Sequence, residues 1–308
     1  MRLLTFIVDG TSRLGLAVNG QIVDLALAYA AIPAAQREGP AALPSEMVAF
    51  LQAGDPAMQA ARQVERGIQR GALTVGPNGE KVVYGKNEVR IAAPIARPGK
   101  IICLGLNYAD HIAETGAQKP NAPILFAKFA NAIIGPGEAI RLPRASQAVD
   151  YEAEMAFVIG KTARRVPLEA AYEYVAGYMN FNDVSARDLQ RETSQWLRGK
   201  GADTFAPTGP YLVTRDEVPD PQTLDVRLWL NGQLMQNSNT KHLIFNVPFL
   251  VHHISKTMTL EPGDIVATGT PDGVGFARKP PVLLKEGDVV RIEIGNLGVL
   301  ENPVVQDD

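Results

Sequence analysis

Apolar positions along the chain fall into short runs separated by turn residues. Leu3 to Val8, Leu14 to Val18 and Ile22 to Leu25 are divided by Asp9-Gly10 and Asn19-Gly20, pairs that tolerate positive φ, so this stretch predicts a small β-meander. Two helices are expected next: Ser45 to Ala53 with Ser45 as cap, then Pro56 to Gln69 with Pro56 in the first turn and Gly71 just past the end. Short strands follow at Lys81 to Tyr84 and Val89 to Ala92. The segment Ala93 to Gly99 holds Pro94 and Pro98 and shows neither hydrophobic period. It sets a boundary between a small amino-terminal α+β domain, 1–95, and a second domain, 96–308.

From Lys100 onward strand signals dominate. They fall at Ile101 to Leu104, Ile124 to Lys128, Tyr151 to Ile159, Tyr178 to Asn182, Tyr211 to Thr214, Leu224 to Leu230, Ile265 to Thr268 and Val289 to Ile294. Asn231-Gly232 reads as a hairpin turn. Short helices are expected at Leu168 to Val175, Ser185 to Leu197 and Phe249 to Lys256. The irregular order of strands and helices predicts an α+β fold on mixed sheets, not a regular βαβ array.

Composition narrows the partners. With 308 residues, 30 basic and 33 acidic side chains and a net charge of -3, the chain lacks the basic excess that a phosphate backbone requires, which excludes nucleic acid. No apolar run approaches the roughly 18 residues of a membrane span, and Leu3 to Val8, ended by Asp9, is too short for a signal peptide. A single cysteine, Cys103, forbids an intramolecular disulfide and suits a reducing compartment, so the expected location is cytoplasmic.

Candidate chemistry begins at Asp150-Tyr151-Glu152-Ala153-Glu154-Met155-Ala156-Phe157-Val158-Ile159. On a strand, Tyr151, Ala153, Met155, Phe157 and Ile159 share one face and Glu152, Glu154, Ala156 and Val158 the other. Two glutamates two apart are most often the solvated face of an edge strand. Ala156 and Val158 weigh against that here. If they are covered, like charges lie beside a buried surface and call for a cation, and carboxylate oxygens suit Mg²⁺ or Mn²⁺. Zinc is disfavoured, since His111, His242, His252 and His253 lack ligand spacing. Asp183, at the end of the strand Tyr178 to Asn182, is the candidate third carboxylate or an ordinary turn aspartate. Ser185 with Asp188 three residues on resembles a capping box.

Asn107 to Gly116 predicts a helix of about two turns, capped by Asn107 and stopped by Gly116. His111 and Glu114, three apart, share a face as a base and its orienter or as a surface pair without a task. So short a helix needs packing or ligand to hold it, which suits a lid. Lys200, between Gly199 and Gly201, is a solvated lysine or a group that stabilises an enolate or binds a carboxylate. The loop Thr268 to Gly275 lacks the Lys-Ser/Thr ending of a P-loop, and Pro271 interrupts any dinucleotide fingerprint. Its hydroxyls and amides suit a small anion.

Five ordered motifs resemble the fumarylacetoacetate hydrolase family over Gly99 to Val304: Gly105-Leu106-Asn107-Tyr108 with His111, Asp150 to Glu154, Asn182 to Gln190, Gly199-Lys200, and Thr268-Gly269-Thr270-Pro271 with Gly273-Val274-Gly275. Residues 1 to about 95 match only as the variable amino-terminal domain of longer members. The resemblance implies a β-rich mixed-sheet roll, a homodimer, and Mg²⁺ or Mn²⁺ on Glu152, Glu154 and Asp183. The implied substrate is a 2-oxo acid. His111 with Glu114 would serve as base, Lys200, Gln190 and Arg187 as contacts to substrate or enolate, and Thr270 as a carboxylate clamp. The leading expectation is hydrolysis of the C3–C4 bond of acylpyruvates. The same machinery serves oxaloacetate decarboxylation, isomerisation or hydration of unsaturated dioic acids, or cleavage of diketo sugar acids. A protein that captures 2-oxo acids without turnover would use the same carboxylates. Phe129 stands where many hydrolases of the family have proline, and Gln195, Trp196 and Phe205 are candidates for either the variable pocket wall or the core.

Overall fold

A computed structural model describes residues 1–307. The opening meander is β1 (Arg2–Val8), β2 (Thr11–Val18) and β3 (Gln21–Asp24), with Leu3 opposite Leu16 and Val8 opposite Thr11. The third strand stops at Asp24, whose carboxylate accepts from the Leu27 N–H at 3.0 Å and caps α1 (Leu25–Ala30). Helices α2 (Met47–Gln52) and α3 (Gly54–Gln69) follow. Glu46, not Ser45, caps α2, because its longer carboxylate reaches the Val48 and Ala49 N–H groups at 3.1 and 2.9 Å. Strands β4 (Val83–Tyr84) and β5 (Arg90–Ala92) complete this part.

Beyond the proline-bearing segment come β6 (Ile101–Gly105), α4 (Ala109–Thr115), β7 (Ile124–Lys128), β8 (Ile133–Ile134), β9 (Ile140–Leu142) and β10 (Val149–Asp150). Next are β11 (Ala153–Ile159), a 3₁₀ segment at Leu168–Tyr174, β12 (Val175–Asn182), β13 (Ser185–Ala186), α5 (Arg187–Arg191), α6 (Leu197–Lys200) and β14 (Ala206–Thr214). The chain ends with β15 (Asp225–Leu230), β16 (Gln233–Asn239), α7 (Val247–Ser255), β17 (Ile265–Ala267), β18 (Val289–Ile294) and β19 (Val299–Gln306).

A large mixed sheet runs β4-β3-β2-β1-β14-β12-β11-β17-β6-β7, and a second runs β16-β15-β18-β19-β9. The architecture is the α+β, mixed-sheet roll that the order of elements predicts. Every residue of β11, β12 and β14 is buried, as expected for strands with neighbours on both edges and cover on both faces. Strands β15 and β18 alternate exposed and buried positions, so the second sheet packs one face inward. Strand β1 pairs with β14, Leu3 opposite Leu212, and thereby joins the amino-terminal meander to the sheet that carries the carboxylates.

Three local expectations are corrected. Ser185 to Leu197 is not one helix. Ser185 pairs with Asp150 in the β10–β13 ladder and its hydroxyl donates to the Asp183 carbonyl at 2.8 Å, so it caps nothing. Asp188 accepts instead from Ser146 Oγ at 2.6 Å and the Gln147 N–H at 2.8 Å, and the chain unwinds after Arg191 before α6 begins. Asn107 does not cap α4; its side-chain oxygen accepts from the Phe245 N–H at 2.8 Å, and its amide donates to the Phe245 and Thr268 carbonyls. The Gly116 stop forms as expected.

Candidate active site

Strand register brings the three carboxylates together. In the antiparallel β11–β12 pair, Ala153 lies opposite Asn182 and Glu154 opposite Phe181. The ladder extends one step further, with the Asp183 N–H donating to the Glu152 carbonyl at 2.9 Å. Opposed residues of an antiparallel pair point to the same face, and so do residues two apart on one strand. Glu152, Glu154 and Asp183 therefore share a face, with one oxygen from each within 4.8 Å of the others. All three are buried, which removes the solvated-edge reading of the glutamates.

Neighbouring strands deliver the rest. Strand β17 runs parallel to β6, Ala267 beside Cys103, so the chain leaves both strands at the same end of the sheet. From β6 it enters α4 and presents His111 and Glu114. From β17 it enters the Thr268 to Gly275 loop. Gly269 in that loop has φ +94°, and its N–H donates to Glu154 Oε2 at 2.8 Å. A Cβ there would also come within 3.0 Å of Asn107 Cβ, so a side chain would strain the turn that aims this donor. Glu114 Oε1 accepts from the Gly273 N–H at 2.9 Å, which fastens α4 to the same loop, while Oε2 lies 3.2 Å from His111 Nδ1. With Nδ1–H donating to this carboxylate, Nε2 is left with its lone pair free. Thr270 Oγ1 donates to the Ala153 carbonyl at 3.0 Å and accepts from Gln236 at 2.9 Å.

Cations surround the carboxylates. Lys200 Nζ lies 2.8 Å from Glu152 and 2.7 Å from Asp183. Arg187 donates to Asp150 Oδ2 at 2.8 Å, reaches Glu152 Oε1 at 2.6 Å, and contacts Gln190 Oε1 at 3.1 Å. Burial works to raise the Glu152 carboxyl, but Arg187 and Lys200 outweigh it and hold the group below its ordinary range. Sequence reasoning missed Lys128. It is fully buried, donates to the carbonyls of Val184, Lys200 and Phe205 at 2.9, 2.6 and 2.7 Å, and lies 2.6 Å from Asp183 Oδ1. A charged residue closing an otherwise apolar strand, Ile124 to Lys128, is the signal that marks it. Phe205 is core, its ring 5.8 Å from that ammonium.

A dication fits this constellation. Burial first, then Asp183 and Glu152, push the Glu154 carboxyl well above its ordinary range. Glu154 Oε1 is buried without a hydrogen bond, while Asp183 Oδ1 faces the Lys128 ammonium at 2.6 Å. Counting Asp150, Glu152, Glu154 and Asp183 against Lys128, Arg187 and Lys200 leaves one excess negative charge when all are ionised. A bound dication turns this into one excess positive charge, which favours an anionic ligand. Accordingly Mg²⁺ or Mn²⁺ at about 100 times Kd is expected to add ~2.7 kcal/mol of stability and raise Tm by roughly 5 °C. Thermal denaturation with metal and with EDTA checks this.

Glu152, Arg187 and Lys200 of this cluster line a cavity of about 490 Å³, together with His111, Gln190 and Thr270 at its polar end. Phe126 and Trp196, ring centroids 5.3 Å apart and edge-on, form an apolar wall. Gln195 is exposed and outside this lining.

A cavity with a polar end, beside a metal-competent carboxylate trio and a carboxylate-held imidazole, is the apparatus of an enzyme. Residues 100–305 match the family model described as fumarylacetoacetate (FAA) hydrolase C-terminal. The chain is 44% identical over 297 residues to the mitochondrial oxaloacetate tautomerase fahd2 of Xenopus laevis, across 95% of this chain and 86% of that protein. The solved fumarylacetoacetate hydrolase from psychrophilic Exiguobacterium antarcticum is 35% identical, with TM-score 0.78 and both chains fully covered. Maleylpyruvate hydrolase from Sphingobium sp. SYK-6, in complex with manganese(II) and pyruvate, is 32% identical with TM-score 0.76, again over both whole chains. The protein belongs to the fumarylacetoacetate hydrolase family and is an enzyme. Among its described residues no helix is long and apolar enough to cross a membrane.

Proposed function

We propose that the protein interconverts the enol and keto forms of oxaloacetate, using Mg²⁺ or Mn²⁺ held by Glu152, Glu154 and Asp183. In the ketonisation direction the enol O–H proton is lost, a proton is added at C3, and the C2–C3 double bond becomes the C2 carbonyl. A divalent ion held by the three carboxylates would supply Lewis acidity that favours negative charge on the C2 oxygen. His111 exchanges the C3 proton through Nε2, and Glu114 fixes the ring so that Nδ1 stays protonated. Lys200, anchored between Glu152 and Asp183, offers an ammonium to the developing enolate oxygen. Gln190 contacts the substrate carboxylate, Thr270 joins it once its O–H turns from the Ala153 carbonyl, and Arg187 holds Glu152 and Gln190 in place.

The observation that carries this reading is one cavity lined by both His111, with Nε2 free, and Glu152, whose carboxylate lies within 4.8 Å of those of Glu154 and Asp183. The 44% identity to an oxaloacetate tautomerase supports the choice of reaction. Following the enol absorbance of oxaloacetate tests it. His111→Ala is expected to slow metal-dependent interconversion about 10²-fold or more. Unchanged turnover would remove His111 from the chemistry.

Hydrolysis of the C3–C4 bond of acylpyruvates is the second reading. The apolar wall of Phe126 and Trp196 favours it, since a four-carbon diacid has no apolar group to place there. Acetylpyruvate incubated with enzyme and Mn²⁺ would then yield pyruvate and acetate. Release of carbon dioxide from oxaloacetate would identify decarboxylation instead.

A further inference from the structure

The cavity holds one cation that the chemistry above leaves without a task. Helix α5 carries arginines at its first and last positions, Arg187 and Arg191, four apart and hence on one face. Both lie against the same ring, with the Arg187 and Arg191 guanidinium carbons 4.4 and 5.0 Å from the Phe276 centroid. Their circumstances differ. Arg187 is buried and its donors are committed to Asp150, Glu152 and Gln190. Arg191 is exposed, lines the same cavity, and makes no hydrogen bond or ion pair among the described residues. Lys200, anchored by Glu152 and Asp183, already has its task at the enolate oxygen.

We infer that Arg191 is the specificity-determining residue for the second carboxylate of a dianionic 2-oxo acid. This rests on the proposed reading that the 2-oxo acid head group sits at Glu152, with a divalent ion on the trio that would act on the C2 oxygen. A substrate seated there extends away from Glu152, and the Arg187–Phe276–Arg191 stack leads in steps of about one ring from Glu152 to a free guanidinium. Guanidinium matches carboxylate in planar, two-point fashion, and stacking on Phe276 limits the freedom Arg191 loses on binding. Monoanionic 2-oxo acids leave this group unused. They lose the charge-assisted pair but nothing at the reacting carbons.

The test compares wild type, Arg191→Ala and Arg191→Lys on oxaloacetate and on its 4-ethyl ester, which keeps the head group but removes the distal charge. Arg191 is exposed at the end of a short helix, so the variants are expected to fold as wild type does. With full-length enzyme and Mn²⁺, Arg191→Ala is expected to lower kcat/KM for oxaloacetate by roughly 10- to 100-fold, mainly through KM, and to change the ester less than about threefold. Arg191→Lys should recover part of the loss, as it keeps the charge but not the fork. Equal losses on both substrates, or no loss on either, would overturn the inference. Calorimetric binding of oxaloacetate and of pyruvate to the Mn²⁺-loaded enzyme separates this from the choice of reaction. If wild type prefers the dianion and Arg191→Ala abolishes that preference while neither protein interconverts the enol, the tautomerase reading falls and the role of Arg191 stands. Equal preference in both proteins removes the role of Arg191 whatever the reaction.

Discussion

Glu154→Gln is expected to abolish turnover, lowering kcat about 10³-fold or more, while leaving the metal-free protein as stable as wild type. Burial beside Asp183 and Glu152 already favours the neutral form of this side chain when no dication is present, and glutamine reproduces that form in shape and charge. The amide oxygen can still accept from the Gly269 N–H that now meets Glu154 Oε2. What the variant lacks is the negative oxygen that a hard cation requires. The several kcal/mol of Lewis-acid stabilisation would go with it, and each 1.36 kcal/mol is about a factor of ten in rate. Two measurements check the expectation together: turnover with saturating Mn²⁺, and the rise in Tm that Mn²⁺ produces in wild type and should not produce in the variant. Loss of activity with the metal-induced Tm rise intact would place the ion elsewhere.

Lys128→Met is expected to have the largest effect on stability. Lys128 is a positioning residue: one ammonium holds the carbonyls of Val184 and Lys200, which belong to the segments presenting Asp183 and Lys200, together with the carbonyl of Phe205. Removing it leaves three carbonyls without this donor and Asp183 without a cation at 2.6 Å. Breaking a buried pair by deleting one partner costs about 3–5 kcal/mol, which corresponds to a fall in Tm of roughly 10 °C. Urea denaturation of the metal-free protein measures it. Saturating Mn²⁺ should recover part of the loss, since a dication offsets the charge on Asp183 but supplies nothing to the carbonyls. A change within about 1 kcal/mol would mean that water or another donor replaces the ammonium.

Much of this site is legible one residue at a time. The alternation Glu152, Glu154, Ala156, Val158 marks carboxylates on a face that is covered, and the i,i+3 spacing of His111 and Glu114 marks a pair on one helical face. Both are local periodicities. What local pattern does not contain is register between distant segments. The Asp183 N–H to Glu152 carbonyl bond, which places the third carboxylate, depends on how β12 aligns with β11. Pairing of β1 with β14 spans more than two hundred residues and follows from the whole sheet order.

The misread helix shows the same limit in reverse. Ser185 to Leu197 has acceptable helix propensity, but Ser185 is drawn into the β10–β13 ladder and Asp188 to Ser146 and Gln147, so tertiary partners override it. The break after Arg191 matters for the cavity. It ends α5 at the free arginine and lets the following segment bring Trp196 to the wall and Lys200 to the carboxylates.

Whether proton transfer at C3 requires a dication on Glu152, Glu154 and Asp183 is decided by the rate at which the enol absorbance of oxaloacetate decays in wild type and Glu154→Gln. Each protein is measured with Mn²⁺ and after EDTA treatment, against enzyme-free controls. Acceleration in metal-loaded wild type, with the other three samples near the uncatalysed rate, is the expected result. Equal acceleration in EDTA-treated wild type or in Glu154→Gln would contradict it.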